Sequence, residues 1–107
     1  MYNSQRGNKI GLCKVLNVEK LHSFSRKHNQ AKGALDSWYD EVIRENWKTT
    51  QDIRNRFNSA DFLPNNRVIF NIKGNNYRLV VQVVYQAGMV IVERVGTHAE
   101  YDKWRLK

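Results

Sequence analysis

An α+β fold is what this 107-residue chain predicts, with an N-terminal strand and helices packed on a curved, mainly antiparallel sheet. Three observations carry the prediction. In the first half, apolar residues recur at intervals of three and four, the spacing of a buried helix face. From residue 67 onward they alternate one by one, the spacing of a strand with one buried face. Between the alternating runs stand Gly74-Asn75 and Ala87-Gly88, signals for tight turns that leave successive strands antiparallel. A chain of this length can hide one modest core and not two, so a single domain is expected over residues 13–107. Residues 1–12 carry Arg6 and Lys9 but no apolar run, and read as a flexible extension rather than a secretion signal.

In chain order, residues 13–18 include Val15 and Val18 and give a first short strand, after which Asn17 or Val18 hands over to a helix. Leu21 and Phe24 mark a narrow apolar face over residues 19–27. Asn29 is the expected N-cap of a second helix reaching Glu45, in which Ala31, Leu35, Trp38 and Val42 form one stripe pointing at a core. Thr49 and Asp52 have capping-box spacing, and Ile53 and Phe57 supply a third, short helix with an i, i+4 apolar pair. Asn58-Ser59 and Leu63-Pro64-Asn65-Asn66 then break the chain ahead of the sheet.

Three strands are expected next, joined as a meander. Val68, Phe70 and Ile72 alternate with Arg67, Ile69, Asn71 and Lys73, while Tyr77, Leu79, Val81 and Val83 alternate with Arg78, Val80, Gln82 and Val84. A two-residue turn at Gly74-Asn75 or Asn75-Asn76 pairs the apolar sets and gathers Arg67, Asn71, Lys73, Arg78 and Gln82 on the opposite face; an odd-numbered loop would scatter them. The second hairpin takes either a three-residue loop, Gln86-Ala87-Gly88 with a left-handed glycine, or Ala87-Gly88 alone. These differ by one residue in register and leave the face of Arg94 open. The last strand, residues 89–95, ends at Gly96, and Thr97 or His98 opens a helical turn carrying Glu100, Tyr101 and Trp104.

Composition narrows the function. With 41% hydrophobic and 26% charged residues and no apolar run near the roughly 18 residues of a membrane span, the chain is expected to be soluble and cytoplasmic, without a membrane partner. Cys13 is the only cysteine, and His22, His28 and His98 lack metal-ligand spacing, so neither a disulfide, a metal nor another cofactor is expected. The net charge of +8 makes a polyanion the leading partner class. Residues 33–66 run against that trend, with four basic and six acidic side chains. There Asp36, Asp40, Glu41 and Glu45 either line a solvated helix face or offer a surface to a second partner.

The sheet face holds the inventory for metal-free RNA cleavage. The 2′-OH of RNA can attack its own phosphate if one group takes its proton, another protonates the leaving 5′-oxygen, and cations gather at the phosphoryl oxygens. Arg78 suits the last task because a guanidinium grips two oxygens at once. Lys73 and Arg67 add positive charge, and Asn71, Asn75 and Asn76 can bond phosphate, sugar or base. An imidazole can take or give a proton and a phenol can donate one, and His98 and Tyr101 fall on the same side of a helical turn, so either can carry the proton. Each also has a plain structural alternative: a solvated arginine, a histidine near a helix cap, asparagines demanded by hairpin geometry. Their convergence is the signal.

The stretches Asn66-Arg-Val-Ile-Phe-Asn-Ile-Lys-Gly-Asn-Asn-Tyr-Arg-Leu-Val80 and Val95-Gly-Thr-His-Ala-Glu-Tyr-Asp-Lys103 resemble the HigB-type toxins of bacterial type II toxin–antitoxin modules, within the RelE-like mRNA interferases. Trp38-Tyr39 and Trp47-Lys48-Thr49 add weaker support, and the similarity runs from about Cys13 to Trp104. The resemblance implies a compact RelE-like domain and an endoribonuclease that cleaves mRNA on the translating ribosome and inhibits growth, with no metal or cofactor. It also implies restraint by a HigA-type helix-turn-helix antitoxin, usually in a heterotetramer that meets operator DNA through the antitoxin. The family's working residues fall on Asn71, Asn75, Arg78, His98 and Tyr101, whereas a role for Lys73 rests on its charge alone. Two other readings stand beside the nuclease: a non-catalytic RNA- or ribosome-binding module, and an interaction subunit whose charge only aids docking.

Overall fold

The computed structural model describes residues 12–106; the extension expected over residues 1–12 lies, but for Leu12, outside them. Strand β1 (Lys14–Leu16) leads into α1 (Glu19–Lys27), a single 3-10 turn (Asn29–Ala31), α2 (Lys32–Val42) and α3 (Thr50–Arg56). Strands β2 (Asp61–Leu63), β3 (Arg67–Ile72), β4 (Tyr77–Val84) and β5 (Met89–Thr97) follow, and α4 (His98–Tyr101) closes the order. One five-stranded sheet runs β1-β5-β4-β3-β2, antiparallel except where β1 lies parallel to β5. A parallel neighbour needs a long crossover, and the whole of the helical segment and the meander separates these two strands.

The stripe Ala31, Leu35, Trp38 and Val42 is buried as its spacing predicts. Asn29, however, does not cap the second helix. It opens the 3-10 turn, and α2 starts after Ala31 without a side-chain cap and ends at Val42 rather than Glu45. Thr49 and Asp52 do form a reciprocal capping box on α3. Helices and sheet meet over an aromatic cluster centred on Phe70, which has Trp38 at 5.5 Å, Phe57 at 5.0 Å and Trp47 stacked at 6.0 Å between ring centroids. Removing a ring so enclosed costs about 3–5 kcal/mol. Cys13 is buried beside this core, and burial pushes its thiol up in pKa, which keeps it a packing group rather than a nucleophile.

The β3–β4 register is Ile72↔Tyr77, Asn71↔Arg78 and Arg67↔Gln82, the one a Gly74-Asn75 turn would give. The connection spans four residues, since Lys73 and Gly74 both take positive φ (53° and 65°) and Asn76 N–H donates to the Lys73 carbonyl. Lys73 has therefore left the strand for the turn. The β4–β5 loop is also four residues, Tyr85 to Gly88, not the two or three expected, because Val84 pairs with Met89. Gly88 does take the left-handed conformation expected of it. A bulge between Val80 and Val81 then shifts the register so that Val80 faces Arg94, putting Arg94 on the Arg78 face. Strand β2 has no counterpart among the sequence expectations: Pro64-Asn65-Asn66, read as a break, is a hairpin turn with Asn65 and Asn66 at positive φ.

The second sheet face is covered from the C-terminus. Ile69 and Val80 are 2% and 0% exposed although they point away from the helical layer. Helix α4 packs on β4 and β5, Trp104 lies beside Arg94, and Arg67 donates to the Leu106 carbonyl. Gly96 makes this closure possible: a Cβ there would lie 2.6 Å from Trp104 Cζ2 and 2.9 Å from Glu100 Oε1.

Gly96→Ala is therefore expected to displace Trp104 and destabilise the protein by about 1–3 kcal/mol in urea unfolding; unchanged stability would show that the tail is not wedged there. The backbone N–H of Lys48, then that of Thr49 and its hydroxyl, hold the Asp52 carboxyl below its ordinary pKa. A depressed folded value means stability present above the ordinary carboxylate range and lost as pH falls through the folded value. Asp52→Asn should lower the melting temperature at neutral pH and flatten its decline toward about pH 2, checked by calorimetry across that range.

Candidate active site

The site forms where the β3–β4 turn meets the N-terminus of α4. Arg78 opposes Asn71 on one side and Gly96 on the other. Only 8% of it is exposed. Its guanidinium donates to the Asn75 carbonyl and the Tyr77 carbonyl at 3.3 Å each and to Asn75 Oδ1, and its Cζ lies 5.2 Å from the centre of the Tyr101 ring. Among the described residues no carboxylate pairs with it. A buried cation without a counter-ion is costly. Neutral oxygens and a ring face compensate it only in part, which leaves a fixed positive potential suited to an incoming anion.

Thr97 caps α4 through a capping box with Glu100, and His98 N–H donates to the Asn76 carbonyl at 3.0 Å, tying the helix to the turn. His98 and Tyr101 have ring centroids 6.3 Å apart. His98 Nδ1 stands 3.3 Å from Asp102 Oδ2, with 43% of the histidine side chain exposed. Asp102 is a site residue that the sequence expectations missed, although its i, i+4 spacing from His98 signals it. A carboxylate at that nitrogen fixes the ring when Nδ1 carries a proton and leaves Nε2 for other partners.

Of the expected residues, Arg78, Asn75, Asn76, His98 and Tyr101 come together, and Lys73 stands exposed in the same turn. Asn71 neighbours Arg78, but its amide donates to the Ser59 carbonyl at 3.1 Å. Arg67 lies at the far end of the row, where it holds the Leu106 carbonyl and faces Glu93 at 3.8 Å, so its charge serves the tail. Part of the acidic middle segment is paired within the chain: Arg56 pairs with Glu41 and, at 3.8 Å, with Glu45, while Lys32 pairs with Asp36 at 2.8 Å. Among the described residues no three His, Cys, Asp or Glu side chains gather in a way that could hold a metal ion, and no helix is long and apolar enough to cross a membrane.

Residues 31–104 match the family described as HigB toxin, RelE-like toxic component of a toxin–antitoxin system. The chain is 27% identical over 91 residues to the mRNA interferase HigB of Escherichia coli O6:H1, covering 83% of this chain and 88% of that protein. It is 24% identical over 90 residues to the mRNA interferase HigB of Shigella flexneri, covering 82% and 86%.

The burial of Arg78 yields a stability prediction. Arg78→Met keeps the packing stem and removes the uncompensated charge, and the acceptors it frees sit in or beside an exposed turn where water reaches. The melting temperature is expected to stay level or rise. A fall of more than about 8 °C, over 1 kcal/mol for a domain of this size, would instead make the guanidinium a structural anchor.

Proposed function

This chain belongs to the RelE-like HigB toxin family, the toxic component of a toxin–antitoxin system, and on that premise we propose that it is an mRNA interferase. In this reading it is an endoribonuclease that cuts translated mRNA on the ribosome without a metal or cofactor and so arrests growth. The observation that carries the reading is the buried, carboxylate-free guanidinium of Arg78 beside the exposed His98–Asp102 pair. The names of the E. coli and Shigella relatives support the activity class.

The reaction is a transphosphorylation. The 2′-oxygen bonds to the adjacent phosphorus, the bond from phosphorus to the 5′-oxygen breaks, and the products are a 2′,3′-cyclic phosphate and a 5′-hydroxyl. One group removes the 2′-proton and one supplies a proton to the departing oxygen. His98, through Nε2, takes one of these tasks and Tyr101 the other, while Asp102 positions the imidazole. Arg78 stabilises the charge that grows on the non-bridging oxygens, where a donor already fixed in place is worth most. Asn71, Asn75, Asn76 and Lys73 line the approach and position the strand.

The partners follow from the same premise. The net charge of +8 supports mRNA and the ribosome as partners, with the cytoplasm as the compartment of this reading. A HigA-type helix-turn-helix antitoxin restrains it, in a heterotetramer that reaches operator DNA through the antitoxin.

Induced expression in a bacterial host, with growth followed and mRNA 5′ ends mapped, tests the reading. Wild type should arrest growth and cut inside translated messages. His98→Ala should lower the cleavage rate by about 10²–10⁴, the usual weight of a general acid or base, and Asp102→Asn should lower it less. Soluble wild-type protein that leaves growth and transcripts unchanged would refute the nuclease and favour a non-catalytic binder.

A further inference from the structure

A groove of about 660 Å³ runs between α1 and the junction of β5 with α4, within the size range of ligand sites. Aromatic rings and cations alternate along its lining. Phe24 and His28 are stacked at 4.3 Å with 25° between their planes, and Trp104 has the Arg94 guanidinium 5.3 Å from its ring centre. Lys27 and Lys103, both exposed, also line it. Of the acidic lining, Glu93 faces Arg67 at 3.8 Å, and Glu100 accepts from Thr97 N–H at 2.8 Å as the cap of α4. With Glu93 paired, Glu19 and Glu100 stand against Lys20, Lys27, Arg94 and Lys103.

The groove ends beside the site, where the Trp104 ring stands edge-on to Tyr101 at 5.9 Å. Aromatic faces that accept any base, interleaved with cations that track phosphates, suit an extended single strand better than a folded partner. Lys27 and His28 precede residue 31, where the family match begins, so this wall lies outside the matched residues.

We propose that this groove is a subsite for single-stranded RNA, holding the nucleotides beside the cleaved phosphate with a base against its aromatic wall and a phosphate between Lys27 and Lys103. The inference rests on the nuclease reading. The groove contributes binding without base choice, since stacking and phosphate contacts carry little sequence information. Cleavage context would then reflect the length of strand that the protein can reach.

Fluorescence anisotropy of labelled, uncleavable 2′-O-methyl oligonucleotides of two to six residues, at low salt with the purified protein, tests it. Wild type should gain about tenfold in affinity from the shortest to the longest, and Lys27→Glu/Lys103→Glu, two exposed changes checked by circular dichroism, should abolish that gain. The salt slope for the longest should fall by about 0.7 in the double variant, the weight of one phosphate contact on a single strand. Arg78→Met should weaken every length alike. A length gain that survives the double reversal overturns the groove while the site stands. Affinity unmoved by Arg78→Met would mean that the strand lies away from the site and overturns this inference, whereas the nuclease reading is decided by cleavage. Failure of wild type to bind the longest oligonucleotide also refutes the subsite.

Discussion

The pairing of Arg78 with Gly96 across β4 and β5 is the constraint on which the rest of the site depends. Because residue 96 has no side chain, Trp104 and Glu100 close onto the strand within distances that a Cβ would not allow. The closure lays the ring of Tyr101 beside the guanidinium and brings the start of α4 to the Asn76 carbonyl. It also buries Ile69 and Val80, giving the sheet a second, smaller core. One glycine thus couples the packing of the tail to the geometry of the candidate chemistry, so changes in the tail reach the site without touching it.

Charge in this protein is sorted by burial more than by count. The ion pairs Lys32–Asp36 and Arg56–Glu41 involve half-exposed side chains, where each is worth at most about 1 kcal/mol. Arg78 is the opposite case, nearly enclosed and answered only by neutral oxygens and an aromatic face. Folding accepts that cost at one position, and such local conflicts concentrate at functional sites. The overall positive charge attracts a polyanion at range, while the buried guanidinium supplies fixed local charge that solvent screens little.

Much of this was legible in the sequence because the periodicities are strong. The stripe on α2 specifies its buried face, Thr49–Asp52 specifies a cap, and alternation through residues 67–84 puts Asn71 on the face of Arg78 for any even-numbered turn. What was not legible depends on tertiary context. Lys73 leaves its strand because the turn spends two left-handed residues, Lys73 and Gly74, instead of one central pair. Arg67 is drawn off by Glu93 and the Leu106 carbonyl, contacts made across 26 and 39 residues of chain. The face of Arg94 turns on a bulge at Val80/Val81, which leaves no mark in the alternation. Strand β2 is three residues long, too short to show a period. Asp102 was within reach, since His98 and Asp102 stand one helical turn apart.

The chemistry of the cut ends tests the central claim most directly. RNA recovered from translation reactions containing the purified protein can be examined by mass spectrometry of its termini. Attack by the 2′-oxygen under Arg78, His98 and Tyr101 predicts 5′-hydroxyl ends paired with 2′,3′-cyclic phosphates, or with the 3′-phosphates that form when those open. Ends bearing a 5′-phosphate and a 3′-hydroxyl would mean that water was the nucleophile, and would contradict the account of this site.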